Sequence, residues 1–567
     1  MMIERQKIRK AAQKAIKNIL LEGTTDVPVF NRLFEIELLK DPKIERELVD
    51  TITKDIYDNN FETLPIKLYD KLLVPKKNVA EFRFVAFLDL YESIIYLTLA
   101  ILLAGSIEKE RIPLQKNKVF SYRYLLQNNN NGILFNSKYN YTAFKKQTSL
   151  NSKKRGNNIT VHFDISNFYD RLNLHRLNSQ LLSIASLDKH TEIISLLDSL
   201  LLYWSARDSY GLPVGSNASR ILAEAALMGV DTFLDTNNIK FVRYVDDYRI
   251  FTTDLATAYK YMNLISSRLQ KEGLFINSAK IRFVDNKKIE QIQLPLFDIL
   301  EDATDQLPED VADQLPEDVT DQLPEDADES KYYIDFWKKV NLYAGTIPLK
   351  FRNMSNAELV KYQGINIEKN LSDLKKNNLP DSKDTMTMFR ILIANNYWDY
   401  LITIATYIFS REPHFIPVFC DILSQKKEMI FPEYQENMQE ILRLSTAYIK
   451  EINNPEYIKV YLTRLIGDYS ELFEGNIIEL FMNVYTSFPS YLLRAILEVT
   501  YDNFLPLSRN DTLLLREIFK RANIFEKRAI IGILKKSLRK EELNAFLKNV
   551  RFSESDYLLQ KISKNTK

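Results

Sequence analysis

Val161–Asp170 reads VHFDISNFYD, and the later pentad Arg243–Asp247 reads RYVDD, ending in Asp246, 82 residues beyond Asp164, and Asp247. Both are apolar runs that finish in carboxylates. Residues 159–165 (ITVHFDI), 241–245 (FVRYV) and 248–252 (YRIFT) are rich in β-branched and aromatic residues, which predicts three strands, the last two joined as a hairpin with Asp246-Asp247 at its turn. Packed as antiparallel neighbours, these strands bring Asp164 beside Asp246 and Asp247. Phosphoryl transfer to a nucleotide uses two divalent ions a few ångströms apart. Such hard cations take oxygen ligands, so two or three aspartates at strand ends are the pattern to seek. Aspartate is also a common turn residue, and an isolated Asp-Asp pair would carry little. The two stretches in this order and spacing carry much more.

Working outward, Gly211–Ser219 reads GLPVGSNAS, Arg220–Leu234 has apolar positions at helical spacing, and Gly273–Lys280 reads GLFINSAK. Upstream, Pro75–Leu90 reads PKKNVAEFRFVAFLDL, a basic segment leading into an apolar one.

Four motifs in this order resemble those of reverse transcriptases, over roughly residues 70–285. FDISNFYD resembles the family's first palm motif, YVDD its Y-x-D-D box, GLPVGSNAS its G-x-P-x-G-x-x-x-S loop and GLFINSAK the palm motif that follows. The resemblance implies that Asp164 and Asp246 coordinate two Mg2+ ions, with Mn2+ as an alternative. It makes Asp247 a less direct ligand and the Ile165 carbonyl a further one. It places Tyr169 against the sugar, where a bulky ring excludes a 2′-hydroxyl, with ordinary core packing, the role read for its neighbour Phe168, as the alternative. Gly211, Pro213 and Gly215 would line the nucleotide, and glycine allows the backbone to approach closely. Lys280 either contacts the departing pyrophosphate or is a solvated lysine. Arg83 is the candidate grip on the triphosphate, since a guanidinium binds phosphate bidentately; Lys76 and Lys77 are weaker candidates. The family's R-P-x-x-x-P pattern is not reproduced there.

The chain has 567 residues, long enough for two or three domains, with a normal 46% hydrophobic and 27% charged content. Its single cysteine, Cys420, excludes an internal disulfide and a multi-cysteine zinc site, and predicts a cytoplasmic setting. The net charge of +1 hides an asymmetry: 301–329 holds 13 acidic and no basic residues, leaving 76 basic against 62 acidic elsewhere. Such an excess suits a polyanionic partner. Residues 305–327 repeat DQLPED in near-identical units, whose prolines and carboxylates predict an extended linker. The apolar run at 93–104 is too short to span a bilayer and predicts a buried helix, with no membrane segment. His162, on an apolar strand, reads as a packed core residue.

Beyond residue 330 the sequence becomes a series of amphipathic segments, among them Met386–Ser410, Met438–Ile452, Ile458–Phe473, Ile477–Ser487 and Tyr491–Tyr501. They fit either an irregular helical array or a compact all-helical domain. The expected fold is therefore α+β: a right-handed palm-and-fingers polymerase over 1–290, an acidic linker over 291–330, and an all-α, HEAT-like helical-repeat domain over 331–567.

Within the family, Val214 and Asn217-Ala218 depart from the loop of the group II intron, retron and diversity-generating enzymes. That departure and the helical C-terminal half resemble the bacterial abortive-infection and related defence-associated reverse transcriptases. This implies dNTP polymerisation to single-stranded DNA in phage defence, in several members untemplated or protein-primed, and often within homo-oligomers. A templated enzyme copying a dedicated non-coding RNA is the second reading, and an inactive palm serving as an interaction scaffold the third. Tyr457, Tyr461, Tyr469 and Tyr491 could stack on single-stranded DNA, but their helical spacing favours core packing.

Overall fold

The computed structural model describes residues 4–25, 34–58, 70–75, 82–126, 131–205, 208–286, 356–376, 382–480 and 491–548, with a few isolated positions besides. The chain divides into two compact units. One comprises Met1–Lys71, Val85–Gln306 and Leu323–Tyr343; the other comprises Leu72–Phe84, Leu307–Gln322 and Ala344–Lys567. The acidic repeat over 305–327 and the linker expected over 291–330 lie outside the described residues, as do Lys76 and Lys77.

The first unit begins with helices α1 (Arg5–Glu22), α2 (Phe34–Leu38) and α3 (Pro42–Tyr57). Strands β1 (Asp70–Pro75) and β2 (Phe82–Phe87), which lie largely in the second unit, form a two-stranded sheet. Then come α4 (Leu90–Glu110), α5 (Tyr141–Ser152), β3 (Ile159–Asp164), α6 (Phe168–Arg171), α7 (Leu174–Leu182), α8 (Thr191–Trp204) and α9 (Asn217–Thr236). The unit continues through β4 (Lys240–Tyr244), β5 (Asp247–Thr252), α10 (Leu255–Lys271) and β6 (Arg282–Asp285). The three strands expected from sequence thus form within a residue of their predicted limits.

Helix α4 is longer than the apolar run suggested. At 21 residues it is long and apolar enough to cross a membrane, yet 78% of its most apolar window is buried inside the protein. It packs against α1 and α9. Asp89, Glu92 and Glu108 near its ends are buried too. An all-round apolar helix is what a core position demands.

The second sheet has the order β4-β5-β3-β6, and every neighbouring pair in it is antiparallel. Alternation along β3 sends Val161 and Phe163 into the core and His162 and Asp164 to the opposite face. His162 shares the face of Asp164 and is half-buried there, between Arg249 of β5 and Arg282 of β6. Phe163 stacks flat on Tyr248 across the ladder, ring centres 5.1 Å apart, and Val161 lies opposite Ile250. Such cross-strand pairs fix the register, since a slip of one residue would exchange the two faces.

The described part of the second unit from 356 onward is helical. Met386–Ser410 forms two helices, Ser382–Asn395 and Leu401–Arg411, rather than one. Asn396 takes a left-handed φ of 53°, and the Tyr397 and Asn396 amides close back on the Leu392 and Ile393 carbonyls. This is the ordinary way an asparagine ends a helix. Ile458–Phe473 likewise resolves into Glu456–Asp468 and a short 3-10 turn, while residues 481–487 of the expected Ile477–Ser487 segment lie outside the described residues. Tyr457, Tyr461, Tyr469 and Tyr491 are all buried, the first two joined by a hydroxyl–hydroxyl hydrogen bond of 3.1 Å. Packing, not stacking on a ligand, is their role.

Candidate active site

The carboxylates meet at one end of the second sheet. Asp164 closes β3 and stands directly opposite Asp247, the first residue of β5. Tyr244 and Asp247 pair across the hairpin, leaving a two-residue loop of Val245 and Asp246. Val245 has a φ of 54°. That is a strained conformation for a β-branched residue, and surrounding structure must enforce it. The Ile165 amide donates to the Asp246 carbonyl at 3.1 Å, tying the end of β3 to this loop. On the other side, the Ser166 amide donates to the Phe275 carbonyl and the Asn277 amide to the Asp164 carbonyl. The GLFINSAK segment is thereby clamped alongside Asp164.

Two cations attend these carboxylates. Lys280 Nζ lies 3.2 Å from Asp164 Oδ2, with its own side chain more than half exposed. Arg249 grips Asp247 through both oxygens, Nη2 donating to Oδ2 at 3.0 Å. Burial raises the Asp247 carboxyl above the usual range, the Arg249 pair opposes this, and the nearby Asp164 charge adds to it. His162, opposite Arg249 on β3 and beside Arg282 of β6, is pushed down to about 3 by burial and by those two guanidiniums.

The residues fit divalent cations in one specific respect. Asp164 Oδ1 is shielded from solvent and has no hydrogen-bond partner, a costly arrangement for a carboxylate oxygen unless a ligand completes it. No group of three or more His, Cys, Asp or Glu among the described residues forms a ready cage. Magnesium requires none, since it binds through one or two carboxylates together with substrate phosphates.

Tyr169 sits on α6, just past Asn167, whose left-handed φ of 46° turns the chain out of β3. Its ring packs against the buried Phe168, centres 5.3 Å apart. Burial raises its hydroxyl far above the ordinary value, with Tyr122, Arg220, Asp246 and Glu224 near enough to act on it. The glycine loop lies on the same turn: the Leu212 amide donates to the Tyr169 carbonyl and the Gly211 amide to the Leu172 carbonyl, each at 2.9 Å. Gly211 has φ +93°, and a Cβ there would stand 3.3 Å from the Asp170 carbonyl oxygen. Ser219, at the start of α9, donates its hydroxyl to the Pro213 carbonyl. Gly215 has φ 113°, and the Val214 carbonyl accepts from the Ala86 amide at 3.1 Å. Arg83 lies on β2 in the second unit, partly buried.

A buried charged cluster behind the hairpin was not anticipated. Arg243, fully enclosed, bonds Asp231 and Glu224 of α9 and donates to the Val245 carbonyl at 2.8 Å. Arg111 joins Glu224 at 2.5 Å and Glu108 at 3.0 Å. These pairings raise the Arg243 guanidinium well above its ordinary value and lower the Glu224 carboxyl, both against the effect of burial. The cluster holds the carbonyl of the strained Val245. Its sequence signal was present: Glu224 and Asp231 interrupt an otherwise apolar helical run, and Arg243 interrupts an apolar strand.

Residues 116–297 match the family model described as reverse transcriptase (RNA-dependent DNA polymerase). Over those residues the chain is similar to RNA-directed DNA polymerases. Among solved structures, the apo telomerase from Candida tropicalis truncated from its C-terminal domain is 16% identical with a TM-score of 0.29, covering 39% of this chain and 51% of that one. This chain accordingly spans about half of that telomerase's length. The apo telomerase from Candida tropicalis is 12% identical with a TM-score of 0.29, covering 83% and 73%. Telomerase from Candida albicans, in complex with a TWJ fragment of telomeric RNA, is 13% identical with a TM-score of 0.28, covering 90% and 72%. No curated protein matches the chain.

Proposed function

We propose that this chain polymerises dNTPs into single-stranded DNA by two-metal phosphoryl transfer in a palm built from β3–β6 and its flanking helices. The observation that carries this reading is the in-register placing of Asp164 opposite Asp247, with Asp246 in the loop between β4 and β5. Asp164 and Asp246 would hold two Mg2+ ions, with the Ile165 carbonyl and Asp247 nearby. Bound there, the ions would activate the attacking hydroxyl and steady the leaving oxygen. The chain's own residues position the reactants. Gly211, Pro213 and Gly215 bring backbone close to the nucleotide, Tyr169 bounds the sugar, and Lys280 exchanges Asp164 for the pyrophosphate as it departs. Arg83 is assigned to the triphosphate on sequence resemblance alone.

The setting we propose is defence against phage by abortive infection, in a reducing compartment and within homo-oligomers. Synthesis there is untemplated and primed on protein. The departures at Val214 and Asn217-Ala218 and the helical second unit support it. The test is to incubate purified protein with each dNTP and Mg2+ without primer, then look for DNA covalently attached to the chain. Attached DNA supports the proposal; synthesis only on an added primer and template rejects it. A templated reading, with a non-coding RNA as the copied strand, is favoured by the description of the matching family model. Sequencing the DNA made with and without bound RNA separates the two, since a product mirroring the RNA overturns untemplated synthesis.

A further inference from the structure

Asp247 and Arg249 lie two residues apart on β5, so their side chains share the sheet face that bears Asp164. The guanidinium engages both oxygens of Asp247. It also donates to the Tyr248 carbonyl at 3.0 Å, and its carbon lies 5.2 Å from the centre of the Phe144 ring. Arg249 and Asp247 are 14% and 25% exposed, so this bidentate pair is far better sheltered than an ordinary surface ion pair.

We propose that Arg249 is a positioning residue that holds Asp247 against the pull of divalent cations, and so sets how tightly the site takes them. This rests on the reading of Asp164 and Asp246 as metal ligands. Affinity for a hard cation rises with the number of carboxylates that can turn to it and falls with fixed positive charge nearby. An ion drawing on Asp247 must compete with a guanidinium that cannot lose its proton and is anchored on a ring and a carbonyl. Lys280, 3.2 Å from Asp164, adds a second cation, but on a long exposed side chain that moves aside at little cost. Arg249 is therefore the stiffer of the two restraints. By holding Asp247, it reserves the site for ions that arrive with additional ligands, which triphosphate oxygens supply.

The test is Mn2+ binding to the full chain without nucleotide, read from the free-ion signal in electron paramagnetic resonance. Arg249→Gln is expected to bind Mn2+ about tenfold more tightly than the parent chain. Arg249→Lys, which keeps the charge but loses the two-pronged grip, should fall between them. In an Asp247→Asn background the gain from Arg249→Gln should vanish, because the effect runs through Asp247. Circular dichroism and melting curves verify that each variant is folded, with Arg249→Lys as the conservative comparator. The proposal is overturned if Arg249→Gln binds Mn2+ no more tightly while Asp164→Asn and Asp246→Asn weaken it. That result leaves the metal-ligand reading standing. It is also overturned if the gain persists without Asp247. If Asp164→Asn and Asp246→Asn both leave Mn2+ affinity unchanged, the metal-ligand reading fails, and this inference with it.

Discussion

Asp164 and Asp247 face one another across the β3–β5 ladder, each on the last pair before the strands part. Their near neighbour Asp246 sits in the loop, its carbonyl tied to the Ile165 amide. The arrangement predicts unequal roles. Asp164→Asn and Asp246→Asn should each lower dNTP incorporation by about a thousandfold or more, the loss of several kcal/mol of transition-state stabilisation. Asp247→Asn should cost less, because Arg249 already occupies that carboxylate. Single-turnover incorporation with Mg2+ measures all three, and equal losses would contradict the ranking.

Arg243 compensates two buried carboxylates. Arg243→Met would leave the buried Asp231 without its guanidinium and Glu224 with Arg111 alone, so the first unit should lose about 3–5 kcal/mol of stability. Asp231→Asn, which leaves Glu224 paired with both Arg243 and Arg111, should cost less. Chemical denaturation compares them.

Gly211 has a φ closed to most side chains and a carbonyl in the path of any Cβ. Gly211→Ala should destabilise by about 1–3 kcal/mol and raise the KM for dNTP more than it lowers kcat. Steady-state kinetics at temperatures where both proteins are folded would show the split.

Tyr169 tests the sugar contact. Tyr169→Ala should raise incorporation of ribonucleotides relative to deoxynucleotides, measured as the ratio of kcat/KM for each pair. An unchanged ratio would assign the ring to packing alone.

His414, in the second unit, has its pKa lowered by burial. Its folded state resists a proton that the unfolded chain accepts near pH 6.5. Stability should therefore fall as pH drops below about 6.5. His414→Gln should flatten that slope in melting curves taken between about pH 7 and 5.

Much of the site was legible because strand period and carboxylate position are local properties. The parity of β3 follows from ITVHFDI alone, and the Tyr244–Asp247 hairpin from two apolar runs around an acidic pair. His162 reads as packed from the apolar strand around it, and its parity with Asp164 assigns it to the face on which it lies half-buried. Arg249 was legible by the same rule, two residues from Asp247, but its grip depends on Phe144, a hundred residues earlier in the chain. The Arg243 cluster joins α4, α9 and β4, and no local pattern reveals which buried charges will meet. The break at Asn396 was hidden for a related reason: asparagine is tolerated inside helices, and only the chain's path made it an end.

The Arg243 cluster also makes the completion of the core depend on β4. Its members come from Glu108, Arg111, Glu224, Asp231 and Arg243, which span more than a hundred residues. A chain emerging during synthesis that has not yet reached β4 leaves Asp231 without its guanidinium, and α9 cannot bury that carboxylate cheaply. A shortened chain ending before residue 243 would therefore lack both the guanidinium that pairs Asp231 and the hairpin that carries Asp246 and Asp247.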